Sequence, residues 1–172
     1  MLKTRALSLV LAVAGVAVSV STTPPVAAQK PTAQIVGVWK LRTLERCKVG
    51  THECAASFGA NPSGYVMISK SGVFLSQGFA EKRVTPTTAE PTDEERVALH
   101  KSMYAWGGTY KVEGSVITVN VEGSWNQTWT GTARSGGGFK MEGTTLVLSS
   151  QPFKSTIDGS LVTTRLTLER VE

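Results

Sequence analysis

The sequence predicts an all-β fold: an antiparallel barrel of about eight to nine strands carrying one short helix. Three observations point there. Short runs rich in Val, Ile, Thr and aromatic residues recur at intervals of about 8–12 residues. Turn signals containing glycine separate them: Ser71-Gly72, Glu113-Gly114, Glu122-Gly123, Glu142-Gly143 and Asp158-Gly159. A capping box, Thr92-Asp93-Glu94-Glu95, marks one helix, because the Thr92 hydroxyl can accept from the Glu95 amide while Glu95 reaches back.

In chain order, 35–46 alternates as a strand, with Trp39 and Leu41 on one face and Val38, Lys40 and Arg42 on the other. Residues 47–63 read as a loop, with Gly50, Gly59, Asn61 and Pro62. Runs 64–70 and 73–79 read as a hairpin, and 80–91 as a polar connection. The helix is expected near 92–104, stopping before Gly107-Gly108. Further strands are expected at 105–112, 116–122, 125–133, 138–141, 145–149 and 161–170. Ser135-Gly136-Gly137-Gly138 reads as a hairpin turn. Parity predicts an inward set of Trp39, Leu41, Trp106, Tyr110, Val119, Val121, Phe139, Leu146, Leu148, Leu166 and Leu168.

Residues 1–28 read as a secretory leader. Lys3 and Arg5 precede an apolar run over 6–20, and Val26-Ala27-Ala28 offers small residues for cleavage. The run is about 15 residues, short of the roughly 20 that span a bilayer. A short polar lead-in follows at 29–34, then one domain over 35–172. The expected location is periplasmic or secreted. No other stretch of the sequence is long and apolar enough to span a membrane.

A chain 41% hydrophobic with a formal net charge of +5 has too much apolar content and too little charge for a disordered protein. Loss of the leader removes Lys3 and Arg5 and no acid, which lowers the charge to +3. The remaining cations are scattered, so no phosphate-binding stripe is formed and nucleic acid is excluded as an expected partner.

Catalytic motifs are scarce. His52-Glu53 begins like a zinc-protease motif, but Ala56 stands where the second histidine belongs. No Gly-x-Ser-x-Gly elbow occurs, and the glycine run at 136–138 lacks the helix and Lys-Ser/Thr pair of a phosphate cradle. Cys47 and Cys54 flank His52 and Glu53. They admit two readings: a metal site with His52, or a local disulfide. Export into an oxidising compartment favours the disulfide, with no structural metal.

The aromatics are more informative. Trp106 and Tyr110 share a face of one expected strand, and Trp125 and Trp129 share a face of another. Either they fill the barrel or they line a small-molecule cavity, since eight-stranded barrels lie at the size where both occur. The site is placed inside the barrel, lined by Met67, Gln77, Trp106, Tyr110 and Trp129. Met67 and the aromatics would supply an adaptable apolar wall. Gln77 and the Tyr110 hydroxyl would orient a polar group. The helix after Pro91 would cover one mouth.

Gly37-Val38-Trp39 resembles the Gly-x-Trp entry of lipocalins. From Ile35-Val36-Gly37-Val38-Trp39-Lys40-Leu41 the likeness continues through Gly64-Tyr65-Val66-Met67, Thr92-Asp93-Glu94-Glu95 and Gly108-Thr109-Tyr110. It then takes in Val121-Glu122-Gly123-Ser124, Trp129-Thr130-Gly131-Thr132 and 166–171. The chain therefore resembles the bacterial lipocalin-like domain family. The resemblance implies a calycin-type barrel and carries no catalytic motif. The expected function is binding of a small apolar or amphipathic molecule, without a cofactor. Two alternatives are kept: an envelope interaction protein with a filled barrel, and a small isomerase or cyclase using Glu122, Tyr110 or His100 in the pocket. Catalytic residues and oligomeric state are left open.

Overall fold

A computed structural model describes residues 31–155 and 159–171. The expected leader and the Asp158 half of the last turn lie outside these residues. Pro31–Ile35 forms a short helix, α1. Ten strands follow among the described residues, all in one antiparallel sheet. They are β1 (Gly37–Lys48), β2 (Cys54–Ala56), β3 (Ser63–Ile68), β4 (Val73–Phe79), β5 (Met103–Glu113), β6 (Val116–Ser124), β7 (Ala133–Glu142), β8 (Thr145–Ser150), β9 (Phe153–Lys154) and β10 (Leu161–Arg170). The second helix, α2 (Asp93–Lys101), stands between β4 and β5.

Eight strands close on themselves in the order β1-β3-β4-β5-β6-β7-β8-β10, and β10 returns to pair with β1 from Trp39↔Arg170 to Lys48↔Val162. Closure removes the open edges that an eight-stranded sheet would otherwise expose. Strands β2 and β9 are additions, paired to β1 and β10 respectively. On the outer surface of the seam, Arg42 pairs with Glu169 and Arg165 with Glu45.

The inward set matches the expected parity. Trp39, Leu41, Val119, Val121, Leu146 and Leu168 are buried in one core, and Trp106, Tyr110, Phe139, Leu148 and Leu166 pack against it. One end of the barrel is closed by this core and by tight hairpins. At their tips, Gly114 and Gly143 hold φ of 59° and 61°, a left-handed conformation that glycine adopts at least cost.

The entry differs from the expected polar lead-in. From Pro31 it is helical, and Ile35 is fully buried. The Trp39 indole N–H donates to the Ile35 carbonyl at 2.8 Å. The Arg170 guanidinium lies 4.1 Å from the Trp39 ring centroid and donates to the Val36 carbonyl at 2.9 Å and to the Gln34 carbonyl. These contacts pin α1 beneath the barrel. A five-residue helix with polar Thr32 and Gln34 shows no apolar period, so only tertiary packing reveals it.

Four other expectations are corrected. Glu122-Gly123, expected as a turn, lies within β6, where Gly123 pairs with Gly107 of β5 and the strand runs on to Ser124. The loop expected over 47–63 contains the end of β1 and all of β2, because Cys47 and Cys54 face each other across that ladder as a disulfide. The strand expected over 125–133 is a turn with a 3₁₀ segment, Gln127–Trp129. There the Asn126 side chain accepts from the Thr128 amide at 3.2 Å, offering the backbone a local partner in place of a ladder. The glycine run expected to be a turn lies within β7, which carries a bulge between Gly136 and Gly138. A Cβ at Gly137 would sit 2.2 Å from the Ser150 carbonyl oxygen, so glycine permits this close approach.

Candidate functional site

The end opposite α1 is open. Inside it lies a cavity of about 790 Å³. Its buried wall includes Leu44, Phe74, Ile117 and Val119, and its exposed rim includes Ser57, Lys101, Gln151 and Phe153. An apolar interior therefore grades into a polar rim.

Aromatic rings form one side of the cavity. Trp106 packs 5.0 Å from Phe74 and edge-on to Trp129 at 5.9 Å, while Trp125 meets Trp129 edge-on at 5.0 Å. Edge-to-face packing favours these rings electrostatically and links β4, β5 and the 125–132 turn into one wall. Gly136 and Gly138 of β7 contribute backbone but no side chain to the lining, which leaves space that larger residues would fill.

The five residues proposed from sequence are not brought together. Trp106 and Trp129 line the cavity. Tyr110 points inward but belongs to the core, its hydroxyl donating to the Ser69 carbonyl at 2.8 Å at the closed end. Met67 and Gln77 lie on the outer face, along a surface groove with Tyr65 and Leu75. The reason is register: Val66 and Ile68 take the inward positions of β3, and Phe74 and Ser76 those of β4. Each alternation was read in the opposite phase.

Two arginines of the cavity escaped the sequence reading. Strict alternation from Trp39 and Leu41 points Arg46 outward. A bulge between Leu41 and Thr43 shifts the phase, so Leu44 and Arg46 face the cavity. The signal was Leu44 itself, an apolar residue out of phase with Leu41. Arg134 was placed beyond an expected strand, but β7 begins at Ala133 and sets Arg134 opposite inward-facing Val119. Its guanidinium lies 3.9 Å from the Trp129 ring centroid, and partial burial lowers its pKa from the ordinary arginine value.

Tyr104, also in the cavity wall, has its phenol pushed up to about 12 by burial, against a smaller opposing hydrogen bond from Ser76 at 3.4 Å. It stays protonated at neutral pH and is available as a polar contact. Glu122, Tyr110 and His100 do not converge. Glu122 lies on the outer groove, Tyr110 at the closed end, and His100 on α2 with its ring 6.1 Å from Trp125. The disulfide engages both cysteines of the alternative metal set. Helix α2 buries none of its residues and reaches the cavity rim through Lys101. Among the described residues no helix is long and apolar enough to cross a membrane.

A closed antiparallel barrel, plugged at one end and hollow at the other, defines a cup of the lipocalin type. The model of the lipocalin-like domain matches residues 36–171, and the chain belongs to that family. A search of curated proteins finds no match.

Proposed function

We propose that this chain is an exported binding protein that holds a small apolar or amphipathic molecule in the open half of its barrel. The cavity is the observation that carries the reading. Its volume of about 790 Å³ lies within the roughly 300–1,000 Å³ typical of small-molecule sites. Its walls combine tryptophan rings with a few polar tips, the composition such sites use. The leader pattern at 1–28 and the Cys47–Cys54 disulfide support passage into an oxidising compartment.

Tryptophan fluorescence tests the binding. A panel of fatty acids, isoprenoids and aromatic compounds should include members that quench emission saturably. The response should disappear in a folded Trp106→Phe/Trp129→Phe variant. A wild type that answers to none of them refutes the reading. For export, the protein recovered outside the cytoplasm should begin at Gln29; recovery with Met1 intact refutes the cleaved leader. The outer groove favours a second reading, an interaction protein, because it exposes Tyr65 and Leu75 beside Met67.

A further inference from the structure

Among the described residues the charges lining the cavity are of one sign: Arg46 from β1, Lys101 from the end of α2 and Arg134 from β7 line it, and no Asp or Glu does. The acid adjacent to Arg46 in sequence, Glu45, pairs with Arg165 instead. Among the described residues none of these three cations forms an ion pair.

Arg46 is the sharpest of the three. Its Nε is fully enclosed and has no hydrogen-bond partner among the described residues. A buried donor left unpaired costs stability, and native proteins seldom keep one without a use for it. The β1 bulge turns this guanidinium into the cavity. Arg134 adds a second cation, laid against Trp129. Thr164, paired with Arg46 across the β1–β10 ladder, and Ser150 also line the cavity. Beneath this polar section the lining is Phe74, Ile117 and Val119, all buried.

We propose that the cavity selects a monoanionic amphiphile, its carboxylate-type head held by Arg46 and Arg134 and its apolar tail enclosed by Phe74, Trp106, Ile117 and Val119. The inference rests on the binding function above and narrows its ligand class. Guanidinium groups suit it because their fork of N–H donors matches a planar carboxylate. A low-dielectric cleft lined by one sign of charge concentrates the opposite sign within it.

Isothermal titration of the oxidised full domain with dodecanoate, dodecanol and dodecylammonium tests the proposal, since the three share a tail and differ in head charge. Dodecanoate should bind about tenfold or more tightly than dodecanol, the factor that one charge-assisted hydrogen bond supplies. Dodecylammonium should bind weakest. Arg46→Met should erase the preference for the acid while leaving dodecanol affinity unchanged, and Arg46→Lys should restore part of it. Arg134→Met, at an exposed position, gives the same readout should Arg46→Met fail to fold. Equal affinity of wild type for acid and alcohol overturns the charge proposal and leaves the binding function standing. A preference that persists in Arg46→Met/Arg134→Met also overturns it. No binding of any of the three overturns the charge proposal, and the fluorescence panel then decides the binding function separately.

Discussion

Trp39 ties three segments together through one side chain. It is fully buried, its indole N–H reaches back to α1, and Arg170 of the last strand covers its ring. Trp39→Ala is expected to cost about 3–5 kcal/mol and to lower the denaturant midpoint accordingly, with the slope of the transition retained; an unchanged midpoint would contradict this account. Arg46 teaches a different lesson. Its inward direction depends on one inserted residue in β1, which alternation alone does not register. Met67 and Gln77 face out for a different reason: β3 and β4 pair without a bulge, and Val66, Ile68, Phe74 and Ser76 take their inward positions.

At the scale of elements, α2 and the β1–β2 hairpin owe their order to local chemistry. Helix α2 buries no side chain, so its capping box matters more than packing. The Thr92 hydroxyl accepts from the Glu95 amide at 3.2 Å, and Glu95 accepts from the Thr92 amide at 2.8 Å. Thr92→Ala should cost the helix about 1 kcal/mol. Amide exchange over 93–101 should accelerate while the global midpoint stays within error; a large global shift would mean that α2 is part of the core. The hairpin depends on its covalent link. Reduction of Cys47–Cys54 should destabilise the domain by about 2–3 kcal/mol on the chain-entropy account, read as a lower midpoint in reductant. Thiol titration of the oxidised, unfolded protein should find no free cysteine. The glycines of β7 act in the opposite sense. They thin the wall beside the cavity, and Gly137→Ala should disturb the β7–β8 ladder through its contact with Ser150.

The whole molecule is a barrel with a packed end and a hollow end, and burial shifts a tyrosine at each. Burial raises the Tyr104 phenol from an ordinary value of 10 to about 12 and raises Tyr110 in the same direction. The folded state therefore retains a proton that the unfolded chain loses. The Tyr104 contribution is fully present below pH 10 and declines as pH rises through the interval to about 12. Within that interval stability should fall by up to about 1.4 kcal/mol per pH unit for this group. Tyr104→Phe should flatten the decline, with Tyr110 accounting for part of what persists. A variant as alkali-sensitive as wild type would place the effect elsewhere.

Alternation, glycine turns and the capping box were local signals, and they determined the class of fold, the helix and the inward residues of the first half of β1 and of β5, β6, β7, β8 and β10, while β3 and β4 were read in the opposite phase. These features follow from periods of two residues and from hydrogen bonds three residues apart, both visible along one strand of sequence. Bulges, strand registers and the closure between β1 and β10 are set by partners distant in the chain. They decided that Arg46 and Arg134 face a shared cavity, that Met67 and Gln77 face out, and that Trp125 and Trp129 meet at a turn. A single inserted residue reverses every side chain beyond it, so the site, unlike the fold, became legible only when the strands were paired.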